Sequence, residues 1–182
     1  NFHFKDGSRI GIKGVSRYEV VNTAFSVGDN LEVLPGRYSF SEAIISYRSN
    51  ASLPIFAHIN LFNGSYFDGR KRTVSLNLAA RVGYKLTSEL NSSYNEITYY
   101  GEKVYANLYG LKVKYSYSTY VHTLLYYQFN AITNESSTNI RFNLMHAPLS
   151  DLYVIYSERR IGVNGQQLNQ GIAIKFTKLF SL

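Results

Sequence analysis

Four histidines, His3, His58, His122 and His146, are the side chains best suited to hold a metal or relay a proton, but they are scattered with no metal-ligand spacing. Asp68, Glu96, Glu102, Glu135 and Glu158 lie outside the most regular segments. Two of them could serve glycoside hydrolysis only if their carboxyls stood about 5 to 10 Å apart, and sequence does not give that separation. No Gly-x-Ser-x-Gly elbow or Gly-Lys-Ser/Thr phosphate loop occurs. The chain has no cysteine, which excludes a thiolate nucleophile, a thiolate metal site and a disulfide scaffold. The expectation is a chain that is not an enzyme and needs neither metal nor cofactor.

A second set of residues points to electrostatics instead. Arg9, Lys13, Arg17, Arg81, Lys112, Lys114, Arg141 and Lys175 all fall opposite apolar positions, and only Glu19 and Glu89 oppose them in sign. This set carries most of the formal net charge of +7. Cations gathered on one face attract anions by long-range potential and require no reaction.

The elements that must position these cations have a period of two. From Thr73 to Val82, Val74, Leu76, Leu78, Ala80 and Val82 alternate with Thr73, Ser75, Asn77, Ala79 and Arg81. A helix would need apolar residues three and four apart, so this is a strand. The alternation recurs in Leu111 and Val113, in Val121 and Leu125, in Ile140 and Phe142, in Leu152 and Val154, and in Ile172, Ile174 and Phe176. With Asn1 to Lys5 and the less regular 37–48 included, about eleven strands are expected, many near ten residues long. Strands of a soluble sandwich run to about five or six residues; a tilted strand crossing a bilayer needs roughly nine to eleven.

A membrane reading assigns the two faces. Val74, Leu76, Leu78, Leu111, Val113, Leu125, Phe142, Ile172, Ile174 and Phe176 would face lipid, and the eight basic residues would line water, because a charge on the lipid face costs roughly 2 to 4 kcal/mol at the midplane. Short connections near 6–7, 49–54, 83–84, 116–120 and 147–151 alternate with longer ones at 21–36, 63–71, 96–103, 131–138 and 159–170. That is the expected pattern of periplasmic turns and extracellular loops. An odd strand count suggests at least one further strand upstream, since single-chain bacterial barrels hold an even number. Nothing after Asn1 resembles a signal peptide, so the chain reads as a mature or truncated piece. The charge-free run 115–134 is too polar for a membrane helix.

The fold expected is therefore all-β, the carboxyl-terminal part of an antiparallel up-and-down transmembrane β-barrel, with 1–182 as one domain. Its place would be the bacterial outer membrane, its partners the lipid bilayer and the outer-membrane assembly machinery. The favoured function is a porin-like channel or transport barrel for glycans or anionic solutes. A second reading is an anchor plugged by Tyr126, Phe56 and Phe62, displaying an upstream glycan-binding domain. A third is a soluble all-β lectin-like protein. The chain holds Tyr 17 and Phe 11, and many of the tyrosines sit near strand ends, where amphipathic rings suit a membrane interface. Aromatic and basic residues together also suggest single-stranded nucleic acid, but an oligonucleotide-binding barrel has only five strands, and no nucleic-acid partner is expected.

The stretch 139–158, NIRFNLMHAPLSDLYVIYSE, resembles a hairpin of the bacterial outer-membrane barrels grouped as domain-of-unknown-function family 5916. So do LPGRYSF at 34–40, FNGSYFDGRKRTVSLN at 62–77, NLYGLKVKYSYS at 107–118 and IAIKFTKLF at 172–180. The resemblance is collinear over nearly the whole chain and rests most on Pro148, Ser150, Asp151, Leu152 and Tyr156. Leu144 and Ala147 depart from it, standing where Trp and Arg are usual. It implies a carboxyl-terminal barrel preceded in full-length members by a carbohydrate-binding module, with no reaction to carry over. It also implies that Phe180, sharing parity with Ile172, Ile174 and Phe176, ends the strand that signals membrane insertion.

Overall fold

A computed structural model of the chain describes residues 1–27, 31–162 and 165–179. Among these residues there is no helix. The strands are β1 (Phe2–His3), β2 (Arg9–Val21), β3 (Phe25–Val27), β4 (Leu31–Val33), β5 (Gly36–Arg48), β6 (Ile55–Tyr66) and β7 (Gly69–Val82). They continue as β8 (Leu86–Tyr99), β9 (Glu102–Tyr105), β10 (Leu108–Ser116), β11 (Val121–Asn130), β12 (Glu135–Ala147), β13 (Ser150–Ile161) and β14 (Gln166–Thr177). One sheet holds them in the order β1-β2-β5-β6-β7-β8-β10-β11-β12-β13-β14, with β9 paired to β8. Hairpin β3–β4 stands apart as a two-stranded sheet. Each long strand pairs with the next in sequence, an up-and-down meander rather than the crossed order of a Greek key.

The expected all-β antiparallel architecture is thus observed, with eleven strands on the main path. Two local expectations change. The strand expected over Asn1 to Lys5 is only two residues long. It ends because Gly7, at φ 83, and Asp6 make a turn, in which the Asp6 Oδ1 accepts hydrogen bonds from the Ser8 N–H (2.9 Å) and hydroxyl (2.7 Å). The remaining long strands among the described residues run from nine to fourteen residues.

The strict alternation of short and long connections is also absent. Residues 63–71, expected as a loop, are the ends of β6 and β7 joined through Phe67 and Asp68. Residues 96–103 form the hairpin of β8 and β9 across Tyr100 (φ 47) and Gly101 (φ 86), the positive-φ pair that matches strand twist. The backbone ladder continues where the apolar alternation stops, since pairing needs no side-chain pattern. The connection 22–35 contains β3 and β4, and 100–107 contains β9.

The chain forms two compact units: Asn1–Leu78 with Asn91–Leu108, and Ala79–Leu90 with Tyr109–Leu182. The buried hydrophobic residues among those described are Val21, Val33, Tyr38, Phe40, Ile97 and Tyr99. All belong to the first unit. The second has no buried hydrophobic side chain among its described residues.

Candidate functional site

In the second unit the pleat sorts residues into two opposite faces. Strand register aligns Leu125, Ile140, Tyr156 and Ile172 in one row, Thr123, Phe142, Val154 and Ile174 in the next, and Val121, Leu144, Leu152 and Phe176 in a third. Thr123 is the sole hydrogen-bonding interruption apart from the Tyr156 hydroxyl. Stacking of Tyr109 on Phe129, with ring centroids 6.4 Å apart, places the odd residues of β10, Leu111 and Val113 among them, on the same face. Ile172, Ile174 and Phe176 are 73, 71 and 61% exposed. His146 shares the parity of Phe142 and Leu144, and its ring stacks on Phe176 at 5.1 Å on this face.

The opposite face of this unit carries the cations. Arg141 lies between Leu124 and Ile155, and Lys175 opposite Tyr153. Lys112 and Lys114 share it by alternation, and Lys112 pairs with Glu89 at 3.6 Å. Arg81 joins the Glu89 side through the cross-strand bonds of β7 and β8 described below. Lys114, Arg141 and Lys175 make no ion pair among the described residues. His122 sits opposite the buried Asn143. Among the described residues no group of three His, Asp or Glu side chains is placed to hold a metal ion.

In the first unit the cation-bearing face also holds apolar side chains. Arg9, Lys13 and Arg17 occupy one face of β2 and register with Arg48, Ile44 and Phe40 of β5; Phe62 of β6 registers with Ile44. Arg17 contacts Glu42 at 2.9 Å and lies over the Phe40 ring at 4.8 Å. Arg48 lies over Phe56 at 5.2 Å. On β7 and β8 the polar face is stitched by Thr73 Oγ1 donating to Asn95 Oδ1 (2.8 Å), a Ser75–Ser93 contact (3.5 Å) and Asn77 Nδ2 donating to Asn91 Oδ1 (2.5 Å). Val74, Leu76 and Leu78 lie behind this ladder by alternation, and Val74 is 46% exposed. In β7 the polar face is therefore the more covered one near Thr73 and Ser75, the reverse of a water-soluble sheet packed on a core.

Sequence reasoning missed an aromatic knot on the polar face of this unit. Phe67, held at φ 50, meets the rings of Phe25, Tyr38, Phe40 and Tyr66 edge-on at 5.5, 5.0, 5.3 and 4.8 Å. Val33, 0% exposed, belongs to the same cluster. The Tyr38 hydroxyl donates to the Leu34 carbonyl (2.7 Å) and Tyr99 to Asp68 Oδ2 (3.4 Å), so the phenols keep polar partners as their rings are buried. The sequence signal was the apolar content of a loop that needed none. A polar groove on β12, β13 and β14 was also missed, because serines and asparagines carry no periodic signal. Phe180, expected to end an insertion signal, lies outside the described residues.

Searches against family models, curated proteins and solved structures found no match to this chain.

Proposed function

We propose that this chain is an outer-membrane β-barrel segment of a porin-like channel or transport protein, its apolar face against lipid and its basic face around water. The observation that carries this reading is the set of three cross-strand apolar rows in the second unit, none of whose side chains is buried. A soluble domain of comparable size gains its stability by burying such residues. Hydrocarbon removes that requirement, and the long strands have the length a tilted crossing needs. Bacterial outer-membrane localisation, insertion by the outer-membrane assembly machinery and kinship with domain-of-unknown-function family 5916 belong to the same proposal. Solutes would be glycans or anions drawn by Lys114, Arg141 and Lys175.

The test is single-channel conductance of the purified protein in planar bilayers. Steps of current with anion preference, lessened in Arg141→Ala, are expected; a silent protein that nevertheless inserts would overturn the channel reading.

One observation favours the anchor as a second reading. The aromatic knot occupies the face that would be wet and brings β3–β4 onto it, narrowing any path there. An anchor would insert with the same lipid-facing rows and pass no current.

A further inference from the structure

The groove on the cation-bearing face of the second unit differs in chemistry from its surroundings. It measures ≈ 330 Å³, within the roughly 300–1,000 Å³ of small-molecule sites. Its lining includes Ser137, Asn139, Ser157, Arg159, Asn169 and Gly171. Register puts Asn139, Ser157 and Gly171 in one row and Ser137, Arg159 and Asn169 in the neighbouring row. Tyr126 continues the first row on β11, opposite Asn139, so a ring stands beside a line of hydrogen-bonding groups.

Three features make this a built recess. Gly171 removes a side chain from the row, and a Cβ placed there would meet nothing within 4 Å. Asn139 Nδ2 donates to Ser157 Oγ at 2.7 Å, which fixes the amide and leaves its carbonyl oxygen and the serine proton to serve a ligand. Charge is cancelled locally: Arg159 pairs with Glu135. On a face whose other basic residues include Lys114, Arg141 and Lys175, with no ion pair among the described residues, the recess is electrically balanced.

A surface that offers donors and acceptors in mixture, without net charge and beside an aromatic ring, matches a molecule whose every hydroxyl both donates and accepts. An anion would need donors alone, and a cation acceptors alone. We propose that this groove binds an uncharged oligosaccharide, with Tyr126 flanking a sugar ring and Asn139, Ser157 and Asn169 bonding its hydroxyls. This deepens the transport reading by naming a solute class, and it rests on that reading for the wetness of this face.

The experiment is calorimetric titration of the full chain in detergent micelles with maltotriose, cellotriose, xylotriose and tri-N-acetylchitotriose, and with trigalacturonate as the anionic counterpart. At least one neutral trisaccharide is expected to bind, and more tightly than trigalacturonate. Gly171→Tyr fills the recess and should weaken that binding at least tenfold, while Gly14→Tyr, at another open glycine position, should leave it unchanged. Ser157→Val, which removes a hydroxyl at nearly constant size, gives the same test should the tyrosine variant fail to fold. Glu135→Gln uncovers Arg159 and should move preference toward trigalacturonate. Absence of neutral binding, indifference to both groove variants, or tighter binding of trigalacturonate by the parent would overturn the proposal. Conductance measured on the same preparation separates the two ideas: current without sugar binding ends the groove alone, and sugar binding without current ends the channel alone.

Discussion

Among the described glycines, Gly69 is the one that backbone approaches most closely. A Cβ at Gly69 would stand 2.2 Å from the Thr98 carbonyl oxygen, whereas one at Gly14 would meet nothing within 4 Å. Gly69→Ala must push β7 from β8 and should cost about 1–3 kcal/mol. Gly14→Ala should be neutral or stabilising by roughly 0.5 kcal/mol, since Gly weakens a strand interior. Urea unfolding in lipid vesicles compares them, and equal stabilities would contradict the close approach. Asp6 supplies a pH test. The Ser8 hydroxyl, and after it the Ser8 N–H, hold its carboxyl below the ordinary 3.8. A lowered carboxyl stabilises the turn fully above 3.8, and that stabilisation is lost as pH falls through the lower folded value. The Ser8 amide resonance should titrate with a midpoint under 3.8, moving up in Ser8→Ala; a midpoint at or above 3.8 in the parent would refute the bond's effect.

Adjacent residues on one strand should behave oppositely. On β12, Phe142 sits in the middle apolar row beside Val154, while Arg141 faces the other way beside Ile155. Phe142→Arg places a cation in hydrocarbon and should cost about 2–4 kcal/mol if that row lies near the midplane. Arg141→Ala should leave folding nearly unchanged. Assembly into vesicles, followed by heat-modifiable gel mobility, distinguishes them; comparable losses would mean that the faces are not lipid and water. The strands themselves were readable beforehand because Val74 to Val82 and Ile172 to Phe176 alternate strictly. Hairpin β3–β4 and strand β9 were not, since strands of three and four residues are too short for a period to show.

The whole chain can be asked what solvent it needs. With its buried hydrophobic residues, among those described, confined to one unit, it should stay monodisperse only in detergent or lipid. A sedimentation profile showing a monodisperse species in plain buffer would restore the soluble lectin-like alternative. The aromatic knot gives a second test of the assembled protein. Replacing residues 23–34 by a short Gly/Ser linker removes Phe25 and Val33 from the polar face, and conductance per channel should rise. An unchanged conductance would mean that the knot does not constrict the path.

Sequence by itself determined the strand period, the all-β antiparallel class and the opposition of Arg141 and Lys175 to Phe142, Ile174 and Phe176. Each follows from one local fact, that successive side chains on a strand point to opposite sides. Tertiary structure alone decided which strands meet and in what register. It set Tyr126, Asn139, Ser157 and Gly171 in one row, drew Phe67 among four rings and paired Arg159 with Glu135. Apart from the Tyr66–Phe67 ring contact, these join residues well separated in the chain. Their energies depend on cross-strand distance, which a period of two does not encode.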